Sequence, residues 1–271
     1  MSGGIDSSFA AQLLKQQGFR VVGITFELLS DSFRNIRNLK ACCSPAIVER
    51  ARRVAHALQI PHYVIDLTSE FSRYVIDQFI SDYKVGRTPN PCVLCNQHIK
   101  FSAFIDKAFS MGAEKIATGH YAIIEAGQEG FRLKKGLDPS KDQSYFLYTI
   151  KKEFLGSIVF PVGTLTKQSV REWVKQTRWN DATSSESQDI CFIPEGDYRA
   201  FLSPFVPLKA GPIYSVDGKL MGRHSGIHLY TVGQRRGLKI PFKEPLYVVE
   251  IRAQENCLII GTRECLKKTK L

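Results

Sequence analysis

The chain opens Met1-Ser2-Gly3-Gly4-Ile5-Asp6-Ser7-Ser8-Phe9-Ala10-Ala11-Gln12-Leu13-Leu14, and this stretch decides the fold. Phe9, Ala10, Leu13 and Leu14 recur at helical spacing after two serines, and Gly18 closes the segment as a C-terminal stop. Residues 21–26 then form a short apolar run that reads as a buried strand. The cycle returns with Ile47, Ala51, Val54, Ala55 and Leu58 on one helical face, Pro61, and a second strand at 63–65. Helices over 70–82 and 97–111 follow, before a strand at 115–118. This alternation predicts an α/β fold with a doubly wound parallel sheet. Ligands bind beyond the carboxyl ends of such strands, where Gly119-His120-Tyr121 falls.

Two glycines before a helix let backbone amides approach a phosphate, serines add hydroxyl donors, and the helix aims its partial positive end at the anion. Asp6 repels a bare phosphate but can hold a magnesium ion that bridges to one. A plain N-cap cluster is the competing reading of a Ser-Gly-Gly tripeptide. The seven-residue string Ser2 to Ser8 before an amphipathic helix favours the phosphate reading, and it resembles the pyrophosphate loop of the N-type ATP pyrophosphatases. Those enzymes cleave ATP between the α and β phosphates and adenylate a substrate; they include GMP synthetase, asparagine synthetase and the tRNA thiolation enzymes.

The 271 residues are 44% hydrophobic, enough for a folded core, which excludes a disordered chain. No stretch approaches the roughly 18 apolar residues of a membrane span, and no basic-then-apolar leader opens the chain, so a soluble cytoplasmic protein without membrane partners is expected. With 37 Lys+Arg against 26 Asp+Glu the formal charge is +11, divided as +5 over residues 1–160 and +6 over 161–271. A basic surface spread along the chain suits a polyanionic partner such as nucleic acid, and equally a surface kept charged for solubility. Near residue 200 the texture changes. Pro204, Pro207 and Pro212 punctuate the chain, Val216-Asp217-Gly218-Lys219 reads as a hairpin turn, and apolar segments follow at 246–251 and 257–260. The expected organisation is a catalytic domain over 1–200 and a small, mostly β domain over 201–271.

Seven cysteines in a chain without a leader point to chemistry or metal before disulfides. Thr88-Pro89-Asn90-Pro91-Cys92-Val93-Leu94-Cys95-Asn96 sets a C-x-x-C between a proline-stiffened loop and the helix expected from 97. A thiol at a helix N-terminus has its thiolate stabilised and its pKa lowered. The same spacing is half of a structural zinc site, but the sequence offers no second C-x-x-C or H-x-x-H to complete it. Cys191, in an Ile-Cys-Phe-Ile run after Ser187-Gln188-Asp189, would by itself be an inert core residue. Lys141-Asp142-Gln143-Ser144-Tyr145 offers a charged, amide-rich loop for phosphates or base edges, and Thr231-Val232-Gly233-Gln234-Arg235-Arg236-Gly237 offers paired arginines between glycines. Each also reads as a solvated loop.

Together, SGGIDSS, Cys42-Cys43 ahead of ARRVAHALQIPHYVID, TPNPCVLCNQHIKF, ATGHYA, KDQSYFLY, the ICFI cysteine and YTVGQRRGL are similar to the tRNA-specific 2-thiouridylase family, in the family's order and over nearly the whole chain. The resemblance implies an adenine nucleotide α-hydrolase-like PP-loop ATPase fold followed by a mostly β central tRNA-binding domain. It implies a tRNA-uridine 2-sulfurtransferase, for which ATP with Mg2+ activates the C2 oxygen of the wobble uridine as an adenylate and a protein-borne sulfur displaces AMP. Cys191 matches the persulfide carrier and Cys95 its partner nucleophile, with a transient disulfide between them closing the cycle. Met1, Ser2, Gly3, Gly4, Ile5, Asp6, Ser7 and Gly119 correspond to ATP contacts, and Phe26 to a further nucleotide contact that is often methionine. Asn90, Pro91 and Cys92 fall where the target base is held, and Lys141, Asp142 and Gln143 where tRNA is contacted. The implied partners are tRNA and a sulfur-donor protein or persulfide carrier.

Three departures accompany this resemblance. Cys92 stands where the family commonly has an aspartate, so Cys92, Cys95 and Cys191 form a candidate three-thiolate ligand set for a [4Fe–4S] cluster with one open iron. The family's first strand, which delivers the chain to the loop, is expected to be missing before Met1, and a third, β-barrel domain is expected to be missing after residue 271. Two other functions compete: an adenylating ligase of the same ATP-loop class, which needs no paired cysteines, and a nonenzymatic tRNA-binding or metal-binding module. A Cys191→Ala variant separates the first from a sulfurtransferase, and tRNA-dependent AMP release excludes the second.

Overall fold

The computed structural model describes residues 1–30, 45–180, 190–193 and 196–267. Cys42 and Cys43, and Ser187 to Asp189, lie outside the described residues. The chain divides into two compact units, residues 1–75 with 91–196 and residues 76–90 with 197–271.

In the first unit the opening helix is Ile5–Gln16, with Phe9, Ala10, Ala11 and Leu14 buried. The apolar face predicted from its spacing packs with Val54 of the helix Pro45–Ala57, Leu58 just after it, Val170 and Val174 of the helix Lys167–Lys175, and Trp179. Strand β1 (Gly23–Glu27) pairs in parallel with β2 (His62–Asp66), Gly23 opposite His62 and Glu27 opposite Asp66. The helix Pro45–Ala57 lies between these strands in the chain and supplies the crossover that parallel strands require. Strand β3 (Ile116–Ala117) pairs in parallel with β6 (Ile158–Val159), and β4 (Ala122–Gly127) with β5 (Gly130–Lys135) forms an antiparallel hairpin.

The parallel α/β character matches the expectation, but among the described residues of this unit the parallel strands form two separate two-stranded ladders, not one continuous sheet. Strand β3 is two residues long, and the turn after it carries Gly119 against the first turn of the opening helix. The β4–β5 hairpin was not legible in the sequence, since its outer positions are largely polar and exposed.

The helix expected over 97–111 begins at Pro91. It runs as Pro91–Leu94, a π-helical Cys95–Ala103 and Phe104–Ser110, with a kink at Phe101. Proline's fixed φ suits a first helical position and explains the earlier start. The second expected helix has the same form, Thr68–Phe71, π-helical Ser72–Ile76 and Asp77–Lys84.

In the second unit, residues 76–90 pack on the C-terminal segment, with Phe79 edge-on to Phe201, Tyr83 stacked on Tyr198 and the Thr88 hydroxyl donating to Thr231 Oγ1 at 3.2 Å. A four-stranded sheet has the order β8 (Leu220–His224), β7 (Gly211–Ser215), β10 (Cys257–Gly261), β9 (Tyr247–Arg252). The predicted turn joins β7 to β8, with Gly218 at φ +82° and its N–H donating to the Ser215 carbonyl. Strand β10 is buried at every position, as an apolar run flanked on both edges should be. Ile213, Leu246, Val248, Leu258 and Ile260 form the core of this unit.

Candidate nucleotide site and cysteine loop

The loop before the first helix owes its shape to Gly3, at φ +66°, a left-handed conformation that glycine adopts without strain. Gly4 precedes the helix in extended conformation and provides no side-chain cap. The serines do not act as N-caps either. Ser7 and Ser8 lie within the first turn and donate their hydroxyls to the Gly4 carbonyl at 3.2 and 2.9 Å, and Ser7 Oγ also accepts from Ser2 N–H at 3.2 Å. The first amides of an α-helix have no acceptor within it, so a helix N-terminus left without a side-chain cap suits an anion. The donor set therefore fits a nucleotide phosphate chain. Met1 lies along β1, its amino group donating to the Ile24 carbonyl and its own carbonyl accepting from Thr25 Oγ1 at 2.7 Å. Phe26 packs edge-on to Phe104 at 4.9 Å.

Gly119 has a steric reason for its identity. A Cβ placed there would lie 2.7 Å from both the Asp6 carbonyl carbon and the Ser7 nitrogen, so only glycine lets the turn after β3 touch the phosphate loop. The next residues continue the contact. Tyr121 donates its phenol to Asp6 Oδ1 at 2.8 Å, and its backbone exchanges two hydrogen bonds with Gln143, N–H to Oε1 at 3.0 Å and carbonyl from N–H at 2.9 Å. Lys167 closes on the same carboxylate, Nζ to Oδ1 at 2.6 Å and to Oδ2 at 2.7 Å. Tyr121 belongs to the Gly119-His120-Tyr121 loop that the sequence marks, whereas Lys167 is not singled out there. Lys167 stands 161 residues from Asp6 in a polar helix start, and no local pattern marks it.

The cysteine loop differs from expectation in one respect. Cys92 occupies the second helical position and is exposed as a residue, yet desolvation of its sulfur first, and the neighbouring Cys191 thiol second, push its pKa up, with Lys100 opposing. Desolvation and a like neighbour outweigh the helix end, so the lowered thiol pKa predicted for this position does not hold for Cys92. Cys95 lies within the π-helical segment and is buried. The five described cysteines are thiols, and among the described residues no group of three Cys, His, Asp or Glu side chains gathers as a metal site. Lys100 also approaches buried His120, Nζ to Nε2 at 3.5 Å, while His120 Nδ1 meets Thr118 Oγ1 at 2.7 Å. Burial first, and Lys100 second, hold the His120 pKa well below the ordinary histidine value, keeping the ring neutral.

The implied tRNA residues use their polar atoms in different ways. Asp142 accepts from Gly136 N–H and Ser144 N–H on Oδ1, at 2.9 and 3.2 Å, and from the Ser144 hydroxyl on Oδ2 at 2.8 Å, which fixes the loop. Gln143 is the partner of Tyr121. The loop is tied to the cysteine helix by buried Asn96, whose Nδ2 donates to the Phe146 carbonyl at 2.9 Å. Asn90 belongs to the segment 76–90 and Pro91 to the first unit.

Comparison with known proteins adds the deciding observation. Residues 1–195 match the family described as tRNA methyl transferase HUP domain, and residues 199–262 that described as tRNA methyl transferase PRC-barrel domain. The tRNA-specific 2-thiouridylase MnmA 1 of Clostridium botulinum (strain Loch Maree / Type A3) is 44% identical over the whole chain, which covers 77% of that protein. The chain belongs to the tRNA-specific 2-thiouridylase family. Other members include the tRNA-specific 2-thiouridylase MnmA of Halothermothrix orenii, 45% identical over 97% of this chain and 75% of its own length. The Geotalea uraniireducens member is 46% identical over 98% of this chain and 72% of its own length. The HUP match makes this family's first domain a PP-loop ATPase-like α/β unit, which is the architecture around Gly3, Asp6 and Gly119. No described helix is long and apolar enough to cross a membrane.

Proposed function

We propose that the chain is a tRNA-uridine 2-sulfurtransferase, using ATP with Mg2+ to replace the C2 oxygen of a tRNA uridine with sulfur. The observation that carries this reading is the uncapped phosphate loop locked against Gly119, in a chain whose relatives are named 2-thiouridylases. The uridine C2 oxygen attacks the α-phosphorus, the bond to the β-phosphate breaks, and pyrophosphate departs. The outer sulfur of a Cys191 persulfide, loaded by a sulfur-donor protein, then attacks C2 and AMP leaves. The Cys95 thiolate attacks Cys191 Sγ, freeing the thiouridine and leaving a Cys95–Cys191 disulfide that an external thiol reduces. Asn90, Pro91 and Cys92 hold the target base, and Lys141 meets a tRNA phosphate while Asp142 and Gln143 shape its loop. The same reading makes residues 1–200 the catalytic domain, 201–271 the tRNA-binding domain, and the cytoplasm the site of action.

The [4Fe–4S] alternative would bind through Cys92, Cys95 and Cys191. The persulfide route needs only the Cys95 and Cys191 thiols and is the one we adopt. The test incubates the protein with ATP, Mg2+, unmodified tRNA and a persulfide donor. AMP, pyrophosphate and 2-thiouridine in equal amounts, with thiolation lost in Cys191→Ala and Cys95→Ala, are expected. AMP without thiouridine, or thiolation that survives Cys191→Ala, would overturn the sulfur assignment. Iron and sulfide analysis after anaerobic purification is expected to find none, and stoichiometric iron would favour the cluster.

A further inference from the structure

The segment 144–150 carries an inference that rests on the tRNA sulfurtransferase reading and deepens it. Tyr145 and Tyr148 are 69% and 70% exposed, the most exposed large apolar side chains among the described residues. Leu147 between them is fully buried, so the chain turns its aliphatic anchor inward and two aromatic rings outward. Apolar side chains scattered singly over a surface need no explanation. Two exposed tyrosines three residues apart, on a segment held from several sides, do. Phe146 N–H donates to the Gln143 carbonyl and Leu147 N–H to the Ser144 carbonyl, each at 3.0 Å, closing a 3-10 turn over Ser144–Phe146. Asn96 Nδ2 holds the Phe146 carbonyl, Asp142 holds Ser144, and Gln143 is bonded to Tyr121 through both side chain and backbone. The Phe146 ring packs at right angles to the Tyr145 ring, centroids 5.4 Å apart.

We propose that Tyr145 and Tyr148 form a stacking platform for unpaired bases of the tRNA anticodon loop beside the target uridine, one base to each ring. An aromatic face accepts any base, and single-stranded loops are where RNA can splay bases out onto such rings. A paired stem offers phosphates and groove edges but no open base face, so the two rings select a loop. The location suits the neighbours of the target uridine. Asn96 follows Cys95, the thiol of the sulfur-transfer step, and its bond to the Phe146 carbonyl ties the platform to that stretch of the cysteine helix. The charges nearby suit the phosphates that link stacked bases. Lys141 precedes the tyrosines and exposed Lys151 and Lys152 follow them, while Asp142, the one carboxylate between, is turned onto Gly136 and Ser144. A tyrosine on a fixed backbone has only two side-chain torsions to order, so binding costs it little entropy.

Solvated surface tyrosines without a ligand are the competing role, and tRNA affinity over a salt series separates the two. Tyr145→Leu and Tyr148→Leu, which keep apolar bulk without an aromatic face, are each expected to weaken tRNA binding about tenfold. The slope of affinity against salt should not change, because no phosphate contact is lost. Tyr145→Phe and Tyr148→Phe should stay within about twofold of wild type. Thermal unfolding should be the same in all four variants, since both rings are exposed. A second arm uses full-length tRNA with abasic sites placed one at a time through the anticodon loop. For each tyrosine, one abasic position should weaken wild-type binding by the same factor as the leucine variant and leave that variant's own affinity unchanged. Leucine variants that bind as tightly as wild type overturn the proposal, as do losses that add at every loop position or a salt slope that falls by a counterion. Wild-type protein that meets all these binding expectations and yields neither AMP nor 2-thiouridine overturns the sulfurtransferase reading instead.

Discussion

At the scale of single residues, the phosphate loop shows how little of an active site is a matter of sequence motif alone. Ser7 and Ser8 invite an N-cap reading, and the structure turns both hydroxyls back to the Gly4 carbonyl, leaving the helix end without a side-chain cap. Gly119 is the more demanding position. Its missing Cβ is the space occupied by the Asp6 and Ser7 backbone, which cannot withdraw as a flexible side chain could. Gly119→Ala should therefore lower stability by about 1–3 kcal/mol through overpacking and weaken ATP binding at least about tenfold. Thermal unfolding and calorimetric titration with ATP check both, and a variant with unchanged ATP affinity would remove the glycine's role in shaping the loop. The motif GH was visible in the sequence because it followed a strand. That it touches residues 6 and 7 was not, since no sequence signal reports which loops meet.

The π-helical Cys95–Ala103 stretch matters at the scale of elements, because it sets which faces the cysteine helix presents. Asn96 sits on it, buried, with Nδ2 bonded to the Phe146 carbonyl and Oδ1 without a hydrogen-bond partner. Asn96→Ala should cost about 1–2 kcal/mol and free the 144–146 turn. Hydrogen exchange is the check, with faster exchange confined to the amides of Phe146 and Leu147. The β8 end of the second unit has its own pH signature. Burial first holds the pKa of His224 and His228 below the ordinary value of 6.5; Arg223 adds to this for His224, its Asn256 hydrogen bond opposes it, and His224 adds to it for His228. The unfolded chain then binds more protons than the folded one below that value, so the stabilisation is complete above about pH 6.5 and lost progressively as pH falls toward the lowered folded values. Unfolding temperature should drop on the acid side, less steeply in His228→Gln. A flat profile between pH 7 and pH 5 would contradict the burial of these rings. Periodicity located most elements, but π-turns add residues per turn and proline at 91 extended a helix start, so the boundaries moved.

For the molecule as a whole, the charge of +11 gives binding to tRNA an electrostatic component. Affinity for tRNA should fall linearly in log–log form with salt, and Lys141→Ala should reduce that slope by about one counterion while weakening all tRNAs alike. A salt-independent affinity measured by filter binding would remove phosphate contacts from the interface. The sequence by itself determined the α/β class, the strands after residue 200, the glycine–serine loop before the first helix and the family, because each rests on local periodicity or on contiguous motifs. The tertiary structure alone decided that residues 76–90 pack with the C-terminal segment, that Gly119 abuts Asp6, that desolvation and the Cys191 thiol raise the Cys92 pKa, and that Lys167 holds the loop carboxylate. Those facts depend on groups far apart in the chain meeting in space, where burial and short distance set the strength of charge and hydrogen bonding that no linear pattern carries.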